Sequence, residues 1–352
     1  MHIESKIVIT AEDVAQVAEA TTSHYGYGPP TQSPVNLKKR YGSVKGLNAP
    51  TAYATAEASV AYQSWFYLGL SGMLGAALAW ALCEPGFIDG WDSGEKGYGN
   101  YLLIPLVVIL MTVGISIAES IVERAPQKAL VRGLLSLALG IPLGFIFYAI
   151  ANLAFTFGLE LVGDDPANPA TWLVRSLGWA VFGVCGGLIY GIVGRSAKKC
   201  GYGVLGGMLG AAIGGLIFDP IGFVFGSGAV SRLVGISIVG LATGAAVGLV
   251  ESALKERWLK VVGGPLAGKQ FILYRPRTVI GSLQKSDIYL FKDPQIAPQH
   301  AVIELAGGQP ALCSALAPVL VNGRPASQAA LRDNDQIQIG GYLFAFHEKS
   351  RS

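Results

Sequence analysis

Six apolar runs long enough to cross a bilayer, which takes about 20 residues, dominate this chain of 352 residues. They cover about 64–83, 101–118, 133–157, 172–193, 201–218 and 233–250. A backbone in lipid must satisfy its own hydrogen bonds, so each run is restricted to a helix. Only 14% of all residues are charged, and the mean hydropathy is +0.46, which excludes an ordinary soluble protein. The loops alternate in charge. Arg124, Lys128 and Arg132 fall between the second and third runs, and Arg195, Lys198 and Lys199 between the fourth and fifth. Lys255, Arg257 and Lys260 follow the sixth. The other loops carry Glu84, Asp89, Asp92 and Glu95 with Lys96, then Glu160, Asp164 and Asp165, then Asp219. The excess of Lys and Arg on one side predicts a multi-pass cell (inner) membrane protein with both termini cytoplasmic.

The spans are rich in glycine and repeat internally. Gly72-Met73-Leu74-Gly75-Ala76-Ala77 recurs as Gly207-Met208-Leu209-Gly210-Ala211-Ala212, and Glu84-Pro85 matches Asp219-Pro220 at the same offset. The third span keeps the spacing through Gly133, Gly140 and Gly144. Arg175, Gly178, Gly183, Gly187 and Gly191 match Arg232, Gly235, Gly240, Gly244 and Gly248, and Glu119 matches Glu251. Three tandem helical hairpins in one orientation are expected, around a pseudo-threefold axis. Stripes at four-residue spacing (Gly183/Gly187/Gly191, Gly206/Gly210/Gly214, Gly240/Gly244/Gly248) suit close helix packing, because lipid offers small residues no other driving force. A solute path and a homo-oligomeric anchor are the alternatives. A transport site calls for ionisable groups near the midplane, whereas Glu84, Glu119, Arg175, Asp219, Arg232 and Glu251 lie near span ends, where salt bridges between hairpins are expected.

Residues 1–63 form a polar arm, with a helix expected between Thr10 and Ala20 and a basic triplet at Lys38-Lys39-Arg40. No apolar run occurs in the first thirty residues, so no cleavable signal peptide is expected. The four cysteines are scattered without a metal-ligand pattern, so neither a disulfide framework nor a metal or other cofactor is expected. The net charge of +3 forms no basic stripe, and nucleic acid is not expected as a partner.

After the spans (64–250) and a helical linker (251–258), the pattern over 259–352 becomes alternating and turn-rich, predicting an all-β sandwich. Short strands are expected at 278–280, 287–290 and 301–304. The landmarks GPLAGKQFIL, TVIGS, SDIYL, DPQIAPQHAVIE, VNG and LRDNDQIQIGGYLFAF occur in an order that resembles a forkhead-associated (FHA) domain, over about 260–347. The resemblance implies a β-sandwich whose loops at one end bind phosphothreonine peptides. Gly281, His300 and Asn322-Gly323 match the family's glycine, histidine and late Asn-Gly turn, with His300 bracing loops rather than doing chemistry. Three positions depart: Ser282 replaces the phosphate-gripping arginine, Ala297 replaces a serine, and 315–319 replaces the Ser-x-Asn-Gly-Thr loop. The phosphate contacts are thus degenerate, with Lys285, Lys292 and Gln299 the side chains left to substitute. The expected function is membrane-anchored scaffolding or signalling through a protein or peptide partner, a phosphopeptide included, without enzymatic chemistry. The alternative is a small transporter or channel of three hairpins regulated by the FHA-like domain.

Overall fold

The computed structural model describes residues 59–89, 96–165, 167–226, 228–306, 309–314 and 318–349. The expected helix at Thr10–Ala20, the Lys38-Lys39-Arg40 triplet, Asp92, Glu95 and positions 315–317 lie outside them. Among the described residues the chain is a helical membrane domain followed by a β-sandwich. Helices α1 (Ser64–Cys83), α2 (Tyr98–Val122), α3 (Pro126–Val162), α4 (Pro169–Val193), α5 (Ala197–Phe225) and α6 (Ala229–Leu254) are each long and apolar enough to cross a membrane. Every helix packs on its sequence neighbours, and α6 returns to α1, closing a ring. Apolar side chains face outward, as with Leu74, Leu78 and Leu82 on α1 and Leu153 and Leu161 on α3. Such a continuous apolar exterior belongs in lipid.

The ring is drawn tight where glycines meet. A Cβ on Gly187 would lie 2.0 Å from the Gly203 carbonyl oxygen, and one on Gly183 would lie 2.0 Å from that of Gly207, at the α4–α5 contact. Between α5 and α6, Gly206, Gly210 and Gly214 face the backbone of Val247, Ala242 and Val239. Gly240, Gly244 and Gly248 face Gly72, Leu68 and Trp65 across the α6–α1 contact. Gly191 abuts Cys200.

The two acid–proline pairs behave differently. Glu84-Pro85 ends α1 in a short 3-10 turn, Glu84–Gly86, whereas α5 continues through Asp219-Pro220 to Phe225. A membrane helix tolerates an internal proline where neighbouring groups re-satisfy the freed backbone carbonyl. Helix α3 likewise contains Pro142 and runs beyond its apolar window at both ends.

At the sandwich end of the ring, the α2–α3 and α4–α5 turns share one geometry. Arg124 (φ 54°) and Arg195 (φ 53°) are left-handed. Ala125 N–H returns to the Ser120 carbonyl and Ser196 N–H to that of Gly191. This is the Schellman helix ending, with arginine where glycine is usual.

The helical linker expected over 251–258 is helical only to Leu254, and strand β1 already begins at Arg257. Lys255 departs from helical geometry, with ψ 135°, Lys349 N–H donates to the Glu256 carbonyl, and Arg257 pairs with Glu348. The sandwich ladder claims these residues before a further helical turn forms.

Eleven described strands follow: β1 Arg257–Gly263, β2 Gln270–Ile272, β3 Arg277–Gly281, β4 Ile288–Tyr289, β5 Ala301–Ala306, β6 Gln309–Ser314, β7 Val319–Val321, β8 Arg324–Ala326, β9 Gln328–Ala330, β10 Gln336–Ile339 and β11 Tyr342–Glu348. One sheet runs β2-β1-β11-β10-β7-β8 and the other β4-β3-β5-β6-β9. The β3–β4 pair is parallel. Leu259, Val261, Ile280, Ala301, Ile337, Phe344 and Phe346 are fully buried between the sheets, the inward half of alternating strands.

Candidate functional site

The β3–β4 and β4–β5 loops meet at one end of the sandwich. Gly281 ends β3 against the second loop, where a Cβ would stand 2.1 Å from the Pro298 carbonyl oxygen. Only glycine allows that approach. Ser282 N–H donates to the Ala297 carbonyl at 3.1 Å, and Leu290 N–H to that of Gly281 at 3.0 Å. His300 is buried behind them, 2% exposed. Its Nδ1 accepts from Ala297 N–H at 3.2 Å, and its Nε2 lies 3.1 Å from the Pro318 carbonyl oxygen. Those partners assign the proton to Nε2, so a neutral ring ties the β4–β5 loop to the segment entering β7. Burial pushes its pKa below the ordinary histidine value.

Gly281, Ser282, Ala297 and His300 are thus brought together, and exposed Gln299 flanks them. The other candidates lie elsewhere. Asn322 (φ 52°) and Gly323 (φ 77°) make the two-residue turn between β7 and β8, the left-handed pair favoured in tight hairpins. That turn is at the far end of β7 from Pro318. Asn322 accepts from Gln336 N–H at 2.9 Å and donates to Asp335 at 2.8 Å, so it braces the start of β10. Lys285 is exposed and lines a cavity of about 350 Å³ between the sandwich and the helix ends.

Two carboxylates absent from the sequence reading hold these loops. Buried Asp293 accepts from Gly341 N–H at 2.6 Å and Gln295 N–H at 2.9 Å. Asp287 accepts from Val279 N–H at 2.9 Å and pairs with Arg275 at 2.7 Å. The available signal was an Asp beside Pro294 and another after Ser286, residues that characteristically cap their own turns.

The β3–β4 loop also rests on the helices. Gln127 N–H donates to Gln284 at 2.9 Å, and Lys128 Nζ reaches the Asp287 carbonyl at 3.1 Å. Arg275 donates to the Gly194 carbonyl at 3.0 Å. Beneath lies a charged layer. Glu119 pairs with Arg132 at 2.7 Å and Lys199 at 2.9 Å, while Glu123 pairs with Lys128 at 2.9 Å and Lys269 at 3.3 Å. Tyr190 donates to Glu251 at 3.1 Å. Burial, and then the negative charge of Glu251, hold the Tyr274 phenol well above its usual pKa. At the opposite end of the ring, Arg232 joins Glu84 and Asp89, and Arg175 joins Asp219 at 2.9 Å.

Residues 260–350 match the family model described as the inner membrane component of T3SS, cytoplasmic domain. Glycogen accumulation regulator GarA of Mycolicibacterium smegmatis is 37% identical over 90 residues, 25% of this chain and 56% of that protein. An oxoglutarate dehydrogenase inhibitor of Corynebacterium diphtheriae is 33% identical over 96 residues, 27% of this chain and 66% of that protein. The chain therefore spans little more than half to just under two thirds of these relatives' lengths. The FHA domain of the CT664 protein from Chlamydia trachomatis superposes with a TM-score of 0.25 and 28% identity, covering 27% of this chain and all of that one. The C-terminal domain is an FHA domain, joined to a six-helix membrane domain.

Proposed function

We propose that this chain is a scaffold of the cell membrane that uses its FHA domain to hold a protein segment at the cytoplasmic face, independently of threonine phosphorylation. One observation carries the reading. His300 and Gly281 preserve a rigid two-loop platform, yet the positions beside them are Ser282 and Ala297, zipped together by a backbone hydrogen bond. A phosphate dianion needs fixed positive charge or convergent donors. Losing charge-assisted bonds worth about 1.5–3 kcal/mol each removes most of its grip. Backbone edges and exposed Gln299 still suit an uncharged peptide. The match to a secretion-system inner-membrane component favours assembly rather than catalysis. The excess of cationic residues at the sandwich end of the ring favours a cytoplasmic placement of that end. The transporter reading is less favoured, since Glu84, Arg175, Asp219 and Arg232 are ion-paired near helix ends.

Placing a photo-crosslinking residue at Gln299 in the full chain and irradiating native membranes tests this. Adducts that form equally after phosphatase treatment are expected, and an adduct to residues 1–63 would identify the chain's own arm as occupant. Adducts abolished by phosphatase would contradict the proposal.

A further inference from the structure

The cavity between the helix ends and the sandwich is lined on one side by the β3–β4 loop but by none of Gly281, Ser282, Ala297 and His300, and it has a charge of its own. Six cationic and three carboxylate side chains line it, a surplus of three positive charges. The carboxylates are engaged: Glu119 and Glu123 each hold two cations and Asp287 holds Arg275. Arg195 and Lys285 also line it, and among the described residues neither side chain has a partner. They come from different domains, one from the α4–α5 turn and one from the β3–β4 loop. Val131 and Leu135 of α3 complete the wall, 55% and 41% exposed on the face where Leu130 and Leu134 also point outward. A basic pocket at the end of a helical bundle, open to an apolar lipid-facing wall, has the chemistry of a headgroup site.

We propose that this cavity binds a phosphate group, carried by an acidic glycerophospholipid or by a soluble phosphate ester, with Arg195 and Lys285 clamping it from the two domains. The ligand would join sandwich to helices. The apolar wall on α3 favours the lipid, whose acyl chains would lie along it. The site shares the β3–β4 loop with the peptide platform, but none of Gly281, Ser282, Ala297, Gln299 and His300 lines it, so lipid binding and peptide binding are read separately.

The test uses the full chain, delipidated in a neutral detergent and titrated with phosphatidylglycerol, phosphatidylcholine and glycerol 3-phosphate. Phosphatidylglycerol is expected to bind at least tenfold tighter than phosphatidylcholine. Arg195→Gly with Lys285→Gln should weaken it by roughly tenfold or more, as expected for lost charge-assisted bonds. Glycine suits the left-handed backbone at position 195, so unfolding is not the expected cause. The charge-preserving pair Arg195→Lys with Lys285→Arg should bind like wild type. Glycerol 3-phosphate binding that the same variant weakens would add the soluble ester as an occupant, and its silence would assign the site to lipid. Equal affinity for the two lipids with no glycerol 3-phosphate binding, or a neutralised variant that binds like wild type, would overturn the proposal.

Discussion

Lys269 of the sandwich places its ammonium 3.3 Å from the carboxylate of Glu123, just beyond the end of α2, and the side chains are 1% and 2% exposed. The FHA domain is therefore not a module on a loose tether. Two residues separate the last helix from the first strand, and a buried ion pair joins the domains. Removing one member of such a pair leaves an uncompensated charge and costs about 3–5 kcal/mol. Lys128 also holds Glu123, so Lys269→Met should fall at the low end of that range. Limited proteolysis at the Lys255–Glu256 junction should accelerate in Lys269→Met, and more so in Glu123→Leu, which leaves both Lys269 and Lys128 without their carboxylate.

His300 gives the sandwich a pH dependence of defined sign. Its folded pKa is depressed by burial, whereas in the unfolded chain it titrates near the ordinary value of about 6.5. Above that value both states are neutral and no stability depends on this group. Below it the unfolded state takes up a proton that the folded state resists, so stability falls as pH drops through about 6.5 towards the folded value. Melting of the sandwich should shift down over this window, and His300→Asn should flatten that step. The variant should also lose about 1–3 kcal/mol by stranding loop hydrogen bonds.

The glycine contacts predict opposite signs for two conservative changes in neighbouring helices. Gly187→Ala puts a methyl into the backbone of Gly203 and should cost about 1–3 kcal/mol as an overpacked contact. Gly201→Ala, with nothing within 4 Å, should stabilise by roughly 0.5–1 kcal/mol through helix propensity. Thermal unfolding in detergent separates them.

Arg232 and Arg175 hold the end of the ring away from the sandwich, and they should not be equal. Arg232 meets two carboxylates with 15% of its side chain exposed, whereas Arg175 meets one with 32% exposed. Its hydrogen bond also holds the Asp89 carboxyl below its ordinary pKa. Arg232→Gln should therefore lower the detergent melting temperature more than Arg175→Gln. The small share from exposed Asp89 is present above the unfolded carboxylate value and is lost as pH falls through the folded one.

The spans were legible because lipid leaves a long apolar run one conformation. Their true lengths were not, since α3 and α5 run past the apolar window and through prolines. Gly281 and His300 were legible only through the FHA resemblance; the structure supplies their tasks, a close approach and a two-sided hydrogen bond. Asn322 was visible as a turn former but not as the residue that braces β10. Lys269 gave no signal, because a lysine after Gly268 reads as an ordinary exposed turn cation. Its burial arises only when Glu123, more than a hundred residues away in sequence, is brought against it. The cavity cations Arg195 and Lys285 are likewise far apart in sequence and meet only in the assembled chain.

Under the proposed function, the Gly281–His300 platform binds a protein segment without gripping phosphate. The most direct measurement is the affinity of the full-length protein for matched phosphothreonine and unphosphorylated peptide libraries, beside the Ser282→Arg/Ala297→Ser variant. The wild type should show a ratio near one between the two libraries, and the variant should favour the phosphorylated library by about tenfold, the value of one added charge-assisted bond. A wild-type preference for phosphothreonine of tenfold or more would mean that the platform grips phosphate after all.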